Sequence, residues 1–201
     1  MPIRAVVFDI GGVLEITPNL SMIEKWEQQL GLNPGEIMIR CETLWHDGSI
    51  GTISEADIHK AISALLSIDS AQVEAFMADM WIEYLGELNA ELTDYFRGLR
   101  SRCQTAILSN SFVGAREREI ERYHFDEMTD HIIYSHEVGL SKPDRRIYEL
   151  TCERLNVQPT EMIFVDNVEA NISAARELGI HAILFKDNAQ AIADIEALLQ
   201  G

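Results

Sequence analysis

Short apolar runs rich in β-branched residues recur along the chain, and each ends at a polar residue or a turn. They lie at residues 3–9, 104–109, 131–134, 161–166 and 181–185. Amphipathic helical patterns separate most of them, at 88–101, 111–123, 144–155, 168–178 and 187–199. Continuous apolar runs that alternate with helices are typical of buried parallel strands. The pattern therefore predicts an α/β fold, a Rossmann-like parallel sheet with helices on both faces.

Residues 15–87 interrupt this alternation because they contain no convincing strand pattern. Their apolar spacing predicts four short helices, near 19–30, 34–46, 54–66 and 70–85. The sequence thus divides into an α/β core, residues 1–14 and 88–201, and a small four-helix insert, residues 15–87, directly after the first strand. Ligands of open parallel sheets bind beyond the C-terminal ends of the strands. We therefore expect the insert to cover a ligand site as a cap.

The charge balance limits the classes of partner. The 201 residues include 33 acidic and 16 basic side chains, a formal net charge of −17, and the insert alone contributes −10 with 13 acidic and 3 basic residues. Such a surface repels nucleic acids and anionic membranes. Residues 116–122 (REREIER) are the densest basic stretch, but their charges alternate in sign, which is typical of a solvated helix face. We expect neither nucleic acid nor membrane as a partner.

Cysteine usage and hydropathy bear on the compartment. The three cysteines are far apart and form no CxxC pair, which predicts free thiols and a reducing environment. The N-terminus has a strand pattern rather than a secretory signal, and no apolar run approaches the roughly 18–20 residues of a membrane span. These features predict a soluble cytoplasmic protein, and they leave its oligomeric state open.

Polar residues with catalytic potential follow the predicted strands. Asp9 ends the first strand, Ser109 and Asn110 end the second, and Asp166 ends the strand at 161–166. Lys142 precedes the helix at 144–155 and is the only lysine between residues 61 and 185. Parallel strands present their C-terminal ends at one edge of the sheet. We therefore expect at least three of these positions to converge in one crevice.

The order and wording of four segments also resemble a known family. FDIGGVL at 8–14, ILSNS at 107–111, GLSKPDRRIY at 139–148 and FVDNVEANISAARELGI at 164–180 resemble the four ordered motifs of the haloacid-dehalogenase-like superfamily. The last two segments are most similar to the branch that contains sugar-phosphate phosphatases and the phosphatase domain of soluble epoxide hydrolase. The insert lies where that family carries its helical cap.

The resemblance implies a nucleophile and a metal cofactor. Asp9 is expected to attack phosphorus and form an aspartyl-phosphate. Mg²⁺ is the implied cofactor, held by the carboxylates of Asp9 and Asp166 and by the backbone carbonyl of Gly11, because this ion prefers carboxylates, waters and substrate phosphate.

The resemblance also implies the substrate contacts. Lys142 is expected to offset the charge of the nucleophile and of the phosphoryl group, while the Ser109 hydroxyl and the Asn110 amide or backbone N–H groups bind phosphoryl oxygens. Asn171 is expected to have a structural role at the start of its helix. The implied activity is hydrolysis of small phosphomonoesters, with sugar phosphates among the candidates.

One departure from the family pattern concerns proton transfer. Phosphatases of the family usually place a second aspartate two residues after the nucleophile, where this chain has Gly11. Loss of a general acid/base typically costs ~10²–10⁴-fold in rate. Glu15, six residues after Asp9, is a candidate replacement, with a solvated linker residue as the alternative interpretation. Asn167 stands where the family often has a further acid, and an amide there can still hydrogen-bond a neighbour.

Two other functions remain open at this stage. If the phosphate-binding cleft has no general acid, the chain could be a non-catalytic module that binds a phosphorylated ligand. A metal-free 2-haloacid dehalogenase is compatible with Gly11, and Arg40 lies about where those enzymes keep a carboxylate-binding arginine. The dehalogenase motif, however, has serine where this chain has Asp166.

Overall fold

The computed structural model describes residues 2–17, 21–129 and 131–201. A central sheet contains five parallel strands: β1 Ala5–Phe8, β4 Gln104–Ser109, β5 His131–Tyr134, β6 Met162–Asp166 and β7 His181–Leu184. Their order across the sheet is β5-β4-β1-β6-β7, so the first strand of the chain lies in the middle. This arrangement confirms the predicted fold class.

Helices cover both faces of the sheet. The core helices are α6 Ala90–Leu99, α7 Ala115–Tyr123, α8 Phe125–Met128, α9 Ser135–Val138, α10 Arg145–Leu155, α11 Glu169–Glu177 and α12 Asn188–Gln200. Successive side chains of a strand point to opposite faces, so β1 supplies both layers. Val6 and Phe8 pack in one apolar cluster with residues of α6 and α12, while Ala5 and Val7 pack in the other with residues of α10 and α11. This two-sided burial explains why the strand sequences are apolar throughout.

The insert forms a helical cap that differs in detail from the prediction. Its helices are α1 Met22–Leu30, α2 Glu36–Arg40, α3 Glu42–Ser49, α4 Glu55–Leu66 and α5 Ser70–Leu85. The described residues of the insert thus form five helices where the pattern predicts four, because the predicted helix at 34–46 is divided at Cys41. Cys41 is fully buried among the cap's apolar residues, and its backbone at φ −102° and ψ 8° turns the chain between α2 and α3. The start of the predicted helix at 19–30 falls partly on residues outside the described ranges.

Local sequence signals fix the two longest cap helices. Ser54 caps α4 by accepting a hydrogen bond from the backbone of Asp57, and Asp69 forms a reciprocal capping box with Gln72 at the start of α5. The cap's apolar cluster also takes in Phe112 and Ala115, which belong to the core. Shared packing of this kind holds the cap against the C-terminal edge of the sheet.

A short antiparallel ribbon connects cap and core. Its strands are β2 Glu15–Ile16 and β3 Glu87–Leu88, with Glu15 paired to Leu88 and Ile16 to Glu87. The expectation that residues 15–87 contain no strand was therefore wrong at both ends of that segment. Two-residue strands carry too little alternation to appear in a hydrophobic pattern.

Within the described part of the chain, no single helix is long and apolar enough to cross a bilayer. The pair α4 and α5, bent by 111°, reaches the length and hydropathy of a membrane span only when the two helices are taken together.

Candidate active site

Lys142 joins two carboxylates from neighbouring strands. Its Nζ atom lies 2.7 Å from Asp9 Oδ1 and 2.7 Å from Asp166 Oδ2, and it donates a third hydrogen bond to the carbonyl of Leu108 at 3.0 Å. The lysine is 4% exposed and Asp166 is fully buried. An ammonium has three N–H donors, so all of them are used within this cluster. The structure thus brings together three residues that the sequence predicts at one edge of the sheet.

Asp166 is held in a fixed orientation by its own loop. Its Oδ1 accepts the backbone N–H of Val168 at 2.7 Å, and the Asn171 amide donates to Oδ1 at 3.2 Å and to Oδ2 at 3.0 Å. Asn171 therefore has the structural role that the sequence predicts. Because these donors lie on the loop and first turn of α11, the start of that helix sets the direction of the carboxylate.

Asn110 fixes the loop that carries the lysine. Its amide nitrogen donates to the Lys142 carbonyl at 2.8 Å, and its amide oxygen accepts the Lys142 N–H at 2.8 Å. This two-way contact aligns the loop before α10 with the end of β4. The Asn110 side chain is therefore a positioning group for Lys142, a role that differs from the predicted amide contact to phosphate. Ser109, 3% exposed, stands beside it at the end of β4.

Burial changes the proton affinity of the candidate nucleophile. It raises the pKa of Asp9 to about 6; the positive charge of Lys142 opposes the rise, and the negative charge of Asp166 adds to it. When all three groups are ionised, two carboxylates face one ammonium. The cluster then has an excess negative charge in a buried setting.

Gly12 shapes the turn that follows Asp9. Its φ is +74°, in the left-handed region that favours glycine, and a Cβ at this position would lie 2.1 Å from the Asn167 amide nitrogen. The turn after β1 and the turn after β6 therefore touch through backbone and amide. This close approach explains why glycine follows Gly11 in the first motif.

A cavity of about 210 Å³ opens beside this cluster. Its walls include Ile10, Gly11, Glu15, Thr17, Tyr84, Ser109, Asn110 and Glu119. Residues from the turn after β1, the end of β4, the ribbon, α5 and α7 thus enclose one space at the C-terminal edge of the sheet, where open parallel sheets bind their ligands.

Glu15 lies inside this cavity rather than on a solvated linker. It is 2% exposed, and the Thr17 hydroxyl lies 3.0 Å from each of its carboxylate oxygens. Burial raises the pKa of Glu15 to about 7; the Thr17 hydrogen bonds oppose the rise and the charge of Asp9 adds to it. A Cβ on Gly86, at φ +53°, would lie 1.7 Å from Glu15 Oε1. The ribbon therefore needs glycine there to admit the carboxyl group.

Glu119 and Tyr84 are site residues that the sequence reasoning missed. Glu119 is 2% exposed and accepts a hydrogen bond from the Tyr134 hydroxyl. Burial raises its pKa to about 7; the Tyr134 hydrogen bond opposes the rise, while the charges of Glu15 and Asp9 add to it. The interpretation of residues 116–122 as a solvated face was wrong at this position. The buried i, i+4 stripe of Ala115, Glu119 and Tyr123 on α7 is the signal that alternating charges obscured.

The arginines of the same helix are also engaged. The Arg118 guanidinium pairs with Glu55 of the cap at 2.6 Å and lies 4.1 Å from the ring centroid of Trp81. Arg122 donates to the Gly86 carbonyl at 3.0 Å. Helix α7 therefore contacts the cap and the ribbon as well as the cavity.

The donor set fits a hard divalent cation that keeps several water ligands. Asp9 and Asp166 converge on one point with excess negative charge, and the backbone of Gly11 lines the adjoining cavity. Mg²⁺ is usually bound by one or two carboxylates together with substrate phosphate and waters. The described residues contain no cluster of three or more His, Cys, Asp or Glu side chains that could enclose a metal. A closed all-protein cage is thus absent from that part of the chain.

The curated relatives that this chain matches in sequence include both long and short proteins. The chain is 29% identical to mouse (Mus musculus) acyl-CoA dehydrogenase family member 10, and the match covers 98% of this chain and 19% of the relative. It is 28% identical to bifunctional epoxide hydrolase 2 of Sus scrofa, covering 98% of the chain and 39% of the relative. It is 25% identical to the D-ribitol-5-phosphate phosphatase of Bacteroides thetaiotaomicron, covering 88% of the chain and 89% of the relative. The chain therefore spans less than half of the two longer relatives and most of the third.

A solved structure and a family model complete the comparison. The fold matches a haloacid dehalogenase family enzyme of Bacteroides thetaiotaomicron, solved with magnesium and inorganic phosphate, with a TM-score of 0.77 at 22% identity over 92% of this chain and 94% of that one. A model of the haloacid dehalogenase-like hydrolases matches residues 3–179. The resemblance of the four motifs is thereby confirmed, and the chain belongs to the haloacid dehalogenase-like hydrolases.

Proposed function

We propose that this chain hydrolyses small phosphomonoesters through an aspartyl-phosphate on Asp9, with Mg²⁺ as cofactor. The observation that carries the proposal is the convergence of Asp9 and Asp166 on the buried Lys142 beside a cavity that also holds the buried carboxyl group of Glu15. Phosphate esters resist nucleophiles because of their charge, so their hydrolysis needs positioning and charge neutralisation more than covalent chemistry. The family membership and the phosphatase relative agree with this reaction class.

In the first step, a carboxylate oxygen of Asp9 attacks phosphorus and the bond from phosphorus to the alcohol oxygen breaks. Lys142 lies against the attacking carboxylate and offsets the charge that gathers around it. The Ser109 hydroxyl and the Asn110 backbone N–H are the donors that we assign to the phosphoryl oxygens. Asp9, Asp166 and the Gly11 carbonyl would hold Mg²⁺, which supplies further neutralisation of the phosphate.

Glu15 is the group that we assign to proton transfer. Its raised pKa, about 7, keeps a substantial fraction protonated near neutral pH, as a general acid requires. Its proton passes to the departing alcohol oxygen. The resulting carboxylate then takes a proton from a water that attacks phosphorus, the bond to Asp9 breaks, and inorganic phosphate leaves. Glu119 lies at the same cavity and acts as a positioning residue, since its charge state affects that of Glu15.

The structure does not support the dehalogenase alternative, because Arg40 lies away from Asp9. Arg40 lies in the cap, where its guanidinium pairs with Glu36 and donates to the Leu65 carbonyl at 3.3 Å. It is not among the residues that line the cavity at Asp9. Asp166, which that mechanism does not need, is held beside Asp9 through Lys142.

The test is phosphate release from a panel of small phosphomonoesters, measured with Mg²⁺ and with a chelator. We expect metal-dependent turnover that Asp9→Asn abolishes and that Asp94→Asn, an exposed aspartate on α6, leaves unchanged. Turnover that survives Asp9→Asn would remove Asp9 from the role of nucleophile. If no ester is cleaved while Mg²⁺ and phosphate still bind, the chain is a phospho-ligand-binding module instead.

A further inference from the structure

A second, larger cavity adjoins the one at Asp9. It has a volume of about 360 Å³, within the ~300–1,000 Å³ range of small-molecule sites. Tyr84 and Asn110 line both cavities, so the two spaces meet at these residues. The larger cavity extends from the phosphate end of the site into the cap, where the alcohol part of an ester has to lie.

The walls of this second cavity are mostly apolar. Their apolar part is formed by side chains from four cap helices and by one residue of the loop after β4: Met22, Ile23, Met38, Trp45, Met80 and Phe112. Three of the six are methionines, whose flexible, polarizable side chains adapt to irregular apolar ligands. Such a wall binds carbon chains by removing them from water, and it provides few hydrogen-bond partners for a hydroxyl group.

Most polar side chains of the wall already make hydrogen bonds, and the Trp45 indole N–H is the exception. Glu83 accepts hydrogen bonds from two backbone N–H groups at the start of α1, at 2.7 and 2.6 Å. The Ser49 hydroxyl donates to a carbonyl one turn back at 2.8 Å, and the Ser111 hydroxyl lies 2.6 Å from His136 Nδ1. The Trp45 indole N–H is buried and has no hydrogen-bond partner among the described residues. A sugar carries a hydroxyl on most of its carbons, and each one left unpaired here would cost a factor of about 10 to 100 in affinity.

The charge of the cap further limits the chemical class of the ligand. Residues 15–87 carry a net charge of −10, which opposes an alcohol that bears a second anionic group. The cavity therefore favours an uncharged, apolar chain attached to a phosphate that is neutralised at the other end of the site.

We propose that the substrates are phosphate monoesters of uncharged, apolar alcohols, with the carbon chain held by the cap cavity. This inference rests on the proposed function, because that function places the phosphate at Asp9. It replaces sugar phosphates as the expected substrate class.

The first test compares kcat/KM for n-alkyl phosphates of increasing length with kcat/KM for D-ribitol 5-phosphate and glucose 6-phosphate. Each fully buried methylene raises kcat/KM by about fourfold, until the chain fills the cavity. Preference for either sugar phosphate, or values that do not change with chain length, would overturn the inference while leaving the phosphatase proposal in place.

The second test uses two variants on helix α2. Met38 lines the cavity and is 51% exposed, while its neighbour Ile39 is 76% exposed and lies outside it. Neither is buried, so aspartate is expected to be tolerated at both positions. Met38→Asp should lower kcat/KM for n-octyl phosphate at least about tenfold more than for methyl phosphate, and Ile39→Asp should not. Equal effects of the two variants would exclude the cavity as the chain-binding site.

If no ester is hydrolysed, a binding measurement can still test this inference independently of the proposed function. Calorimetry with n-alkylphosphonates, which resist hydrolysis, then measures affinity on the intact protein. An affinity that rises with chain length and is weakened by Met38→Asp supports the cavity even if the catalytic proposal fails. An affinity independent of chain length overturns it.

Discussion

Replacing Glu15 by glutamine removes an acidic proton from the cavity while it preserves the shape of the side chain. The Thr17 hydroxyl, 3.0 Å from both carboxylate oxygens, can still donate to the amide oxygen. The close fit against Gly86 is unchanged because glutamine and glutamate have nearly the same size. The substitution thus tests proton transfer with little effect on packing.

The expected loss follows from the role of the proton. Without a general acid, an alkoxide has to leave unprotonated, and such a loss is worth ~10²–10⁴ in rate, or about 3–5 kcal/mol in the barrier. The ratio kcat/KM reports events up to departure of the alcohol, so it is the suitable quantity. We expect the loss for n-hexyl phosphate to exceed that for p-nitrophenyl phosphate, whose leaving group departs without a proton.

The glycine in the first motif offers a rescue. A Cβ built on Gly11 would meet Glu15 Oε2 at 3.9 Å, ordinary van der Waals contact, and the backbone there is not in the left-handed region. The position therefore admits a Cβ without strain, beside the group that an aspartate there is to replace. Gly11→Asp added to Glu15→Gln should recover at least about tenfold of the lost kcat/KM for the alkyl ester.

The assay is steady-state phosphate release at saturating Mg²⁺, with Glu87→Gln as the matched control. Glu87 lies on the same ribbon but is exposed, so its substitution should leave kcat/KM unchanged. The reasoning is refuted if Glu15→Gln retains the alkyl-ester activity to within a factor of about three. Equal losses for the alkyl and aryl esters would assign Glu15 to binding or structure instead.

Three further predictions concern the supporting residues. Lys142→Ala should abolish turnover and lower the free energy of unfolding by about 3–5 kcal/mol, because it leaves buried carboxylates unpaired; urea unfolding measures this, and an unchanged midpoint would contradict it. The pKa of Glu119 in the folded state, about 7, lies above the ordinary value of 4.5, so the stability it contributes is full below about pH 4.5 and is lost as the pH rises through about 7. Between about pH 5 and pH 9, wild type and an exposed control, Glu121→Gln, should therefore lose on the order of 3 kcal/mol more stability than Glu119→Gln; parallel pH profiles would contradict this. Gly12→Ala should cost at least about 1 kcal/mol from its positive φ alone, with an additional clash against Asn167; thermal unfolding checks this, and Asn167→Ala in the same chain should recover only the clash.

The part of the site carried by strand ends could be predicted from the sequence. Asp9 and Asp166 follow β1 and β6, which are neighbours in a parallel sheet, so their proximity follows from topology. Lys142 stands out in the sequence because it is the only lysine between residues 61 and 185. Its contact with both carboxylates depends on the tertiary structure and has no signal in the local sequence. The same holds for the reciprocal hydrogen bonds between its backbone and the Asn110 side chain.

Other features had no adequate signal in the sequence. The division of the cap helix at Cys41 involves neither glycine nor proline, and the cysteine at the break is buried in the cap cluster. The ribbon at Glu15 is two residues long, so the burial of that glutamate depends on a pairing with residues more than seventy positions away. Glu119 was hidden because charge alternation has a period of two, whereas burial on α7 follows the helical period.

The same burial accounts for both the chemistry of Glu15 and the ability of an acidic protein to accept phosphate. The chain carries a net charge of −17, and the cavity beside Asp9 contains two further carboxyl groups, Glu15 and Glu119. If both were ionised, they would repel the substrate. Because burial raises each pKa to about 7, each group is about half protonated at pH 7 and largely neutral at lower pH. A low-dielectric cavity thus reduces the negative charge that would repel the phosphate and, by the same shift, retains a proton for the leaving alcohol.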